Sequence, residues 1–324
     1  MNSRRRALAA LVTSLALHPK AALAQRNSPP RVGWLSYLPQ PDPALELLRE
    51  GLRKLGHVEG KSYVLVARHA NNDFTRLPAL TDELVAERID VLVSRGPSVN
   101  FAKQVRDRIP VVFVYSGDPI VAGFADSLGK PGRNMTGMTF MAMELCAKRV
   151  EMLKQLLPDA TRIALLSNPE HAGELLEYRV TEDHARRLGA EVTRFLVYKP
   201  DELAPAFAAI RAAKFDAILV FPDSLTLNRR KEIAELAAGV KIPCMYGWTE
   251  FVDAGGLLSY GPTITEGFRA LAVFTDKILK GGNASAIPIE QARSISLTLN
   301  ITAAKALGMK IPPALLARVD RIIQ

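Results

Sequence analysis

Twice along this chain, short β-branched runs alternate with stretches of helical period, and few architectures accept that rhythm. Residues 32–36, 63–67, 91–93 and 111–114 read as strands, with helices between them at 44–55, 77–87 and 99–106. The first of these helices places Leu45, Leu48, Leu52 and Leu55 on one face of a 3.6-residue repeat. The series then starts again. Helices at 143–156, 175–188, 202–213 and 229–238 alternate with strands at 162–166, 192–195, 217–220, 243–246 and 257–259. Strands separated by helices of this length form parallel sheets covered on both faces. The fold class is therefore α/β, with two doubly wound parallel-sheet lobes. The break falls near 136–142. Beyond it the tail, with a helix at 265–279, a strand at 295–299 and further elements to 323, is expected to return to the first lobe and make a multi-stranded hinge. The expected organisation is a leader at 1–24, a first lobe at 25–138 completed by about 262–324, and a second lobe at 139–261.

The leader rests on its own residues. Arg4, Arg5 and Arg6 precede an apolar stretch from position 7 to 17, Pro19 breaks it, and Ala22-Leu23-Ala24 gives a small-x-small cleavage pattern. That stretch is about half of the ~20 residues a spanning helix needs, so cleavage after Ala24 and release into the periplasm are expected. Ser3-Arg4-Arg5 also fits a twin-arginine signal, which leaves the export route open. Losing the leader removes four basic residues and no acid, so a formal charge of +9 becomes +5. The remaining Lys and Arg are interspersed with acids, as on a solvated surface, and no nucleic-acid partner is expected. Cys146 and Cys244 match no metal spacing and read as buried thiols.

Enzyme signatures are missing from the sequence. It has no Gly-x-Ser-x-Gly elbow, no His-Glu-x-x-His helix, no phosphate loop and no Gly-x-Gly-x-x-Gly turn, and no two of its five histidines stand three or four apart. No catalysis, cofactor or metal is expected. The carboxyl ends of the strands are more informative, because open α/β sheets bind ligands in the crevice beyond them. Those ends carry Ser36, then Arg95-Gly96-Pro97-Ser98, then Ser116-Gly117-Asp118 in the first series. The second series gives Asn168-Pro169-Glu170, Asp223-Ser224 and Tyr246-Gly247-Trp248. Each has a plainer reading: Ser98 and Ser116 as caps, Asp118 and Asn168 as turn residues before proline, Tyr246 and Trp248 as core aromatics. Together they make two facing rims of donors and carboxylates.

Several runs carry a family resemblance. They are Leu55-Gly56-His57-Val58-Glu59-Gly60-Lys61, Arg76-Leu77-Pro78, Asp90-Val91-Leu92-Val93 and Ile109-Pro110-Val111-Val112. Gly117-Asp118-Pro119-Ile120-Val121-Ala122-Gly123 and Pro131-Gly132-Arg133-Asn134-Met135-Thr136-Gly137 follow. In that order and spacing the chain resembles the ABC transporter substrate-binding family that includes tryptophan and tyrosine uptake proteins. The resemblance implies a type I periplasmic-binding fold, a small polar or carboxylated ligand held between lobes that close about a hinge, and delivery to the membrane permease of an importer. By position, Ser36, Gly96, Ser98, Ser116, Asp118 and Thr136 would serve from the first lobe. Asn168, Glu170, Asp223, Tyr246 and Trp248 would serve from the second. Ser98 and Ser116 would take a carboxylate, and Asp118 or Asp223 an ammonium. Arg95 stands where the family usually has a small or polar residue; it either clamps a second carboxylate or points to solvent. A monomer is expected. The alternatives are a periplasmic sensory protein docking to a membrane receptor and a secreted enzyme on the same fold.

Overall fold

A computed structural model describes residues 28–324 apart from positions 141 and 172, so the leader expected at 1–24 lies outside the described residues. The first lobe begins β1 (Arg31–Ser36), α1 (Pro43–Lys54), β2 (Val64–His69), α2 (Leu77–Ala86), β3 (Val91–Arg95), α3 (Val99–Ala102), β4 (Val111–Tyr115) and β5 (Met135–Thr139). The second runs α4 (Ala142–Leu156), β6 (Arg162–Ser167), α5 (Glu174–Arg187), β7 (Glu191–Leu196), α6 (Leu203–Ala212), β8 (Ala217–Val220), α7 (Ser224–Asn228), α8 (Arg230–Val240), β9 (Cys244–Tyr246), α9 (Glu250–Asp253) and β10 (Leu258–Gly261). The tail comprises α10 (Ile264–Leu279), β11 (Glu290–Gln291), β12 (Ser296–Asn300), α11 (Ile301–Ala306), α12 (Pro313–Leu316) and β13 (Arg321–Ile323).

The first sheet has the order β11-β5-β4-β3-β1-β2 and the second β13-β12-β10-β9-β8-β6-β7. Every pairing is parallel except that of β10 with β12. Each sheet turns its strand order at the first strand of its series, and the carboxyl ends beside that switch form the crevice. The tail is the point at which sequence and structure differ. Residues 262–324 do not all complete the first lobe: α10 packs on α1, β3, β4 and β5, and β11 joins β5, but β12 and β13 belong to the second sheet. The chain thus crosses between lobes three times, after β5, after β10 and after β11. Two carboxylates brace the later crossings. Glu250 accepts from the Ile264 amide at 2.9 Å, and Glu266 accepts from the amides of Arg293 and Ser294 at 3.1 and 3.3 Å.

Local chemistry accounts for these elements. Asp42 caps α1, its carboxylate accepting from the Ala44 amide at 3.1 Å, Pro43 occupies the first turn, and Leu45, Leu48 and Leu52 are buried. In β3 the two-residue period sends Val91 and Val93 to the face covered by α1 and α10, and Leu92 to the opposite core. Gly137 lies opposite Phe113, and a Cβ there would stand 1.8 Å from the Phe113 carbonyl oxygen; only glycine lets β5 approach β4 so closely. Phe140 meets Trp248 edge-on at 6.1 Å, so one apolar cluster continues from the first lobe into the second. Cys146 and Cys244 sit in different clusters and are not joined by a disulfide.

Candidate functional site

The lobes touch across the crevice. Gly96, at φ +54°, begins a 3-10 turn that runs to Ser98, and a Cβ on it would lie 2.2 Å from Ser224 Oγ of the opposite lobe. A Gly96→Val protein is therefore expected to hold the lobes apart. Ligand affinity, read by titration calorimetry, should fall at least roughly tenfold, with a further ~1–2 kcal/mol lost from stability because the left-handed backbone disfavours a branched side chain. Unchanged affinity would show that the lobes need not meet here.

Among the described residues, the buried side-chain atoms without a protein hydrogen-bond partner include Ser98 Oγ, Tyr115 Oη, Asp223 Oδ2 and Trp248 Nε1, at or just past the crevice ends of four strands; His69 Nε2, Arg95 Nε and Tyr246 Oη, from residues that end strands, are also without one. Ser98 and Tyr115 come from the first lobe, Asp223 and Trp248 from the second. Leaving such an atom unsatisfied costs about 1–3 kcal/mol, and more for a charged one. Asp223 is held firmly by its other oxygen. Oδ1 accepts from the Leu225 amide at 2.6 Å, capping α7, and from Asn168 Nδ2 at 3.1 Å. Asn168 is fixed in turn, its Oδ1 accepting from the Glu170 amide at 3.0 Å. The field of Asp223 reaches two phenols of the first lobe, Tyr37 and Tyr115. Burial first, and Asp223 next, raise the Tyr37 hydroxyl to about 12; burial, then Glu177, then Asp223 raise that of Tyr115.

The sequence-selected residues divide clearly. Gly96, Ser98, Asn168, Asp223 and Trp248 stand at the crevice, with Glu170 exposed at its mouth. Ser36 is buried beneath it, its Oγ accepting from the Leu38 amide at 3.2 Å, and Ser116 lies nearly buried just past β4. Asp118 accepts from the amides of Ile120 and Val121 in a turn, and it borders a small pocket with Tyr115 and, from the second lobe, Gly173 and Glu177. Thr136 is the second residue of β5, away from the carboxyl end, and donates to the Ile287 carbonyl at 2.9 Å. Tyr246 faces the interior of its own lobe, stacked on Phe251 at 4.6 Å. Arg95 does neither of the things expected of it. It shares the strand face of Val91 and Val93, lies 3.1 Å from Asp42 and stacks over Phe268 of α10 at 5.0 Å. The carboxylate it holds is the protein's own.

A cross-lobe polar group was missed at the sequence level. His171, from the loop after β6, bonds Glu177 of α5 at 2.8 Å, and its ring packs on Tyr115 at 5.6 Å. Two residues six apart on a loop and a helix form no recognisable motif. Burial alone would push the imidazole down, but the carboxylates of Glu177, foremost, and of Asp223 and Glu174 together outweigh it and hold the pKa above 6.5. The sign follows: the charged pair stabilises fully below the ordinary value and fades as pH rises through the raised one. Wild type is expected to lose urea resistance as pH rises above 6.5 more steeply than His171→Gln. Equal slopes would refute this role.

The comparisons with known proteins bear on the family and the fold. The family described as ABC transporter substrate binding protein matches residues 40–323. A tyrosine-binding protein of Clostridioides difficile (strain R20291) is 24% identical over 277 residues, covering 83% of this chain and 78% of that protein. A domain from Streptococcus pneumonia, solved in complex with L-Trp, superposes with a TM-score of 0.80 at 23% identity, covering 91% of this chain and 100% of that one. A ligand-free, open substrate-binding protein from Clostridium difficile gives 0.62 at 21% identity, covering 91% and 99%. Both structures share the two-lobed fold. With the family pattern spanning nearly all of the described residues, the chain belongs to the ABC transporter substrate-binding proteins.

Proposed function

We propose that this protein is the extracytoplasmic solute-binding component of an ABC importer, and that its two lobes close on an aromatic amino acid which it passes to a membrane permease. The observation that carries the reading is Asp223. One of its oxygens is locked by a helix cap and an amide, and the other is buried at the crevice with no protein partner. An ammonium group there would offset the cost of burying the charge, Ser98 Oγ would donate to the ligand carboxylate, and the Trp248 face would meet an aromatic ring. A dicarboxylate would need a second cation, and Arg95 is committed to Asp42 on the other face of the sheet. The relatives support the same ligand class, one being a tyrosine-binding protein and another having been solved with L-Trp. The closer superposition on the L-Trp complex than on the open, ligand-free protein supports a closed arrangement of the lobes. Closure is then a hinge motion that the ligand favours by touching both lobes at once.

The test is a stability screen of the mature chain against L-tyrosine, L-tryptophan, dicarboxylates, aromatic acids and nucleosides. An aromatic amino acid at 100 times its Kd should add about 2.7 kcal/mol. A response to dicarboxylates alone, or to no amino acid, would defeat the ligand assignment, and consumption of the ligand during incubation would make the protein an enzyme.

A further inference from the structure

We propose that the second lobe carries a separate small-molecule site at the end of its sheet remote from the crevice, suited to a small apolar ring with one hydrogen-bonding group. A pocket of about 420 Å³ opens between α8, α11 and the segment leading into β10. Pockets of roughly this size hold small organic ligands. Ala234 and Ala237 of α8, Ala303 and Ala306 of α11, and Gly256 and Leu257 before and at the entry to β10 line it. Five of these six have no side chain beyond Cβ, which is why the two helices leave space between them. Most of the lining lies at the amino ends of β9 and β10, away from the crevice residues at the carboxyl ends; Tyr246 is the last residue of β9, and its ring lies back against Gly256 at this end.

Its inner wall supplies the polar feature. Cys244 and Tyr246 alternate onto the same face of β9 and border the pocket. The Tyr246 ring lies against Gly256, where a Cβ would stand 2.5 Å from Tyr246 Cε2. Tyr246 Oη is fully buried and has no nitrogen or oxygen partner, and the Cys244 thiol beside it is a weak one. Burial pushes that thiol up to about 12, so it stays protonated and uncharged. This inner wall is therefore apolar and uncharged, with the Tyr246 hydroxyl as its polar atom, while Lys241, Asn300 and Thr302 add polar groups elsewhere on the lining. A phenol-like molecule meets both requirements: its ring fills the space between the alanines, and its hydroxyl pairs with Tyr246.

The experiment uses the full mature chain with alanine methyl groups labelled for NMR, titrated with phenol and, separately, with toluene. Both probes should saturably shift the methyls of Ala237 and Ala303. Tyr246→Phe should weaken phenol about tenfold while leaving toluene within about twofold. Ala303→Leu fills the pocket from a half-buried helix position and Ala306→Leu from an exposed one; either should abolish both sets of shifts. Shifts confined to methyls outside the pocket, shifts that do not saturate, or saturable shifts that survive both leucine variants would overturn the site. Phenol binding undiminished in Tyr246→Phe would overturn the hydroxyl's role. The crevice takes no part in this readout, so the outcome is independent of the transport reading.

Discussion

Replacing Arg95 with alanine is expected to lower the stability of the fold by about 3–5 kcal/mol, because it strands a buried carboxylate. The Asp42 side chain is fully buried and Arg95 almost so, at 0% and 6% exposure. Asp42 also caps α1 and accepts from Trp34 Nε1 at 3.3 Å, so it cannot turn away to find water. The guanidinium is further held over the Phe268 ring, which ties β3 to α10. Asp42→Ala should cost a similar amount, and the double variant less than the sum of the two, since removing both charges leaves neither one stranded. Urea denaturation of the three proteins measures this. Ligand affinity of the folded Arg95→Ala protein should change little. A lost affinity with an unmoved urea midpoint would put the guanidinium to work in the crevice, contrary to the geometry.

Asp223→Asn should do the reverse. Asparagine is as good an N-cap as aspartate, so α7 keeps its start and the unfolding free energy from urea denaturation should hold within about 1 kcal/mol. The amide cannot neutralise an ammonium ion, and losing one member of a buried, hydrogen-bonded charge pair costs about 2–5 kcal/mol. Affinity for an aromatic amino acid should therefore fall roughly 100-fold or more by calorimetry. Asp223→Ala should match that loss and give up about 1 kcal/mol of stability besides, through the missing cap. Affinity retained within about twofold in Asp223→Asn would place the ammonium site elsewhere.

These two residues show where a sequence can be read and where it cannot. The βα rhythm is local, so it delivered β1 to β4, β6 to β10, β12 and the run of the long helix α10, but not β5, β11 or β13. Both Asp223 and Arg95 follow or end a strand, and position alone makes them equivalent candidates. Strand parity separates them: Arg95 keeps step with Val91 and Val93, which face a core, and that much the spacing already contained. What it did not contain was the carboxylate waiting on that face, since Asp42 lies 53 residues away. Tyr246 follows the same logic, two residues after Cys244 on one face of β9. The tail was misassigned for a different reason. β11 has only two residues, too few for any period, and nothing local tells β12 to pair with β10 and not with the first sheet. Thr136 was misjudged by three residues, the distance to Thr139 at the true end of β5, whose hydroxyl donates to the Gly117 carbonyl at 2.7 Å.

The three crossings bear on how such a chain is made. Domains usually fold as units in the order in which they leave the ribosome. Here the first lobe lacks α10, which covers one face of its sheet, until residue 279 has emerged, and β11 completes that sheet only at Gln291. The second sheet waits still longer, for β13 at Ile323. Neither half can therefore settle into its native shape ahead of the other, because the same tail segment closes both sheets.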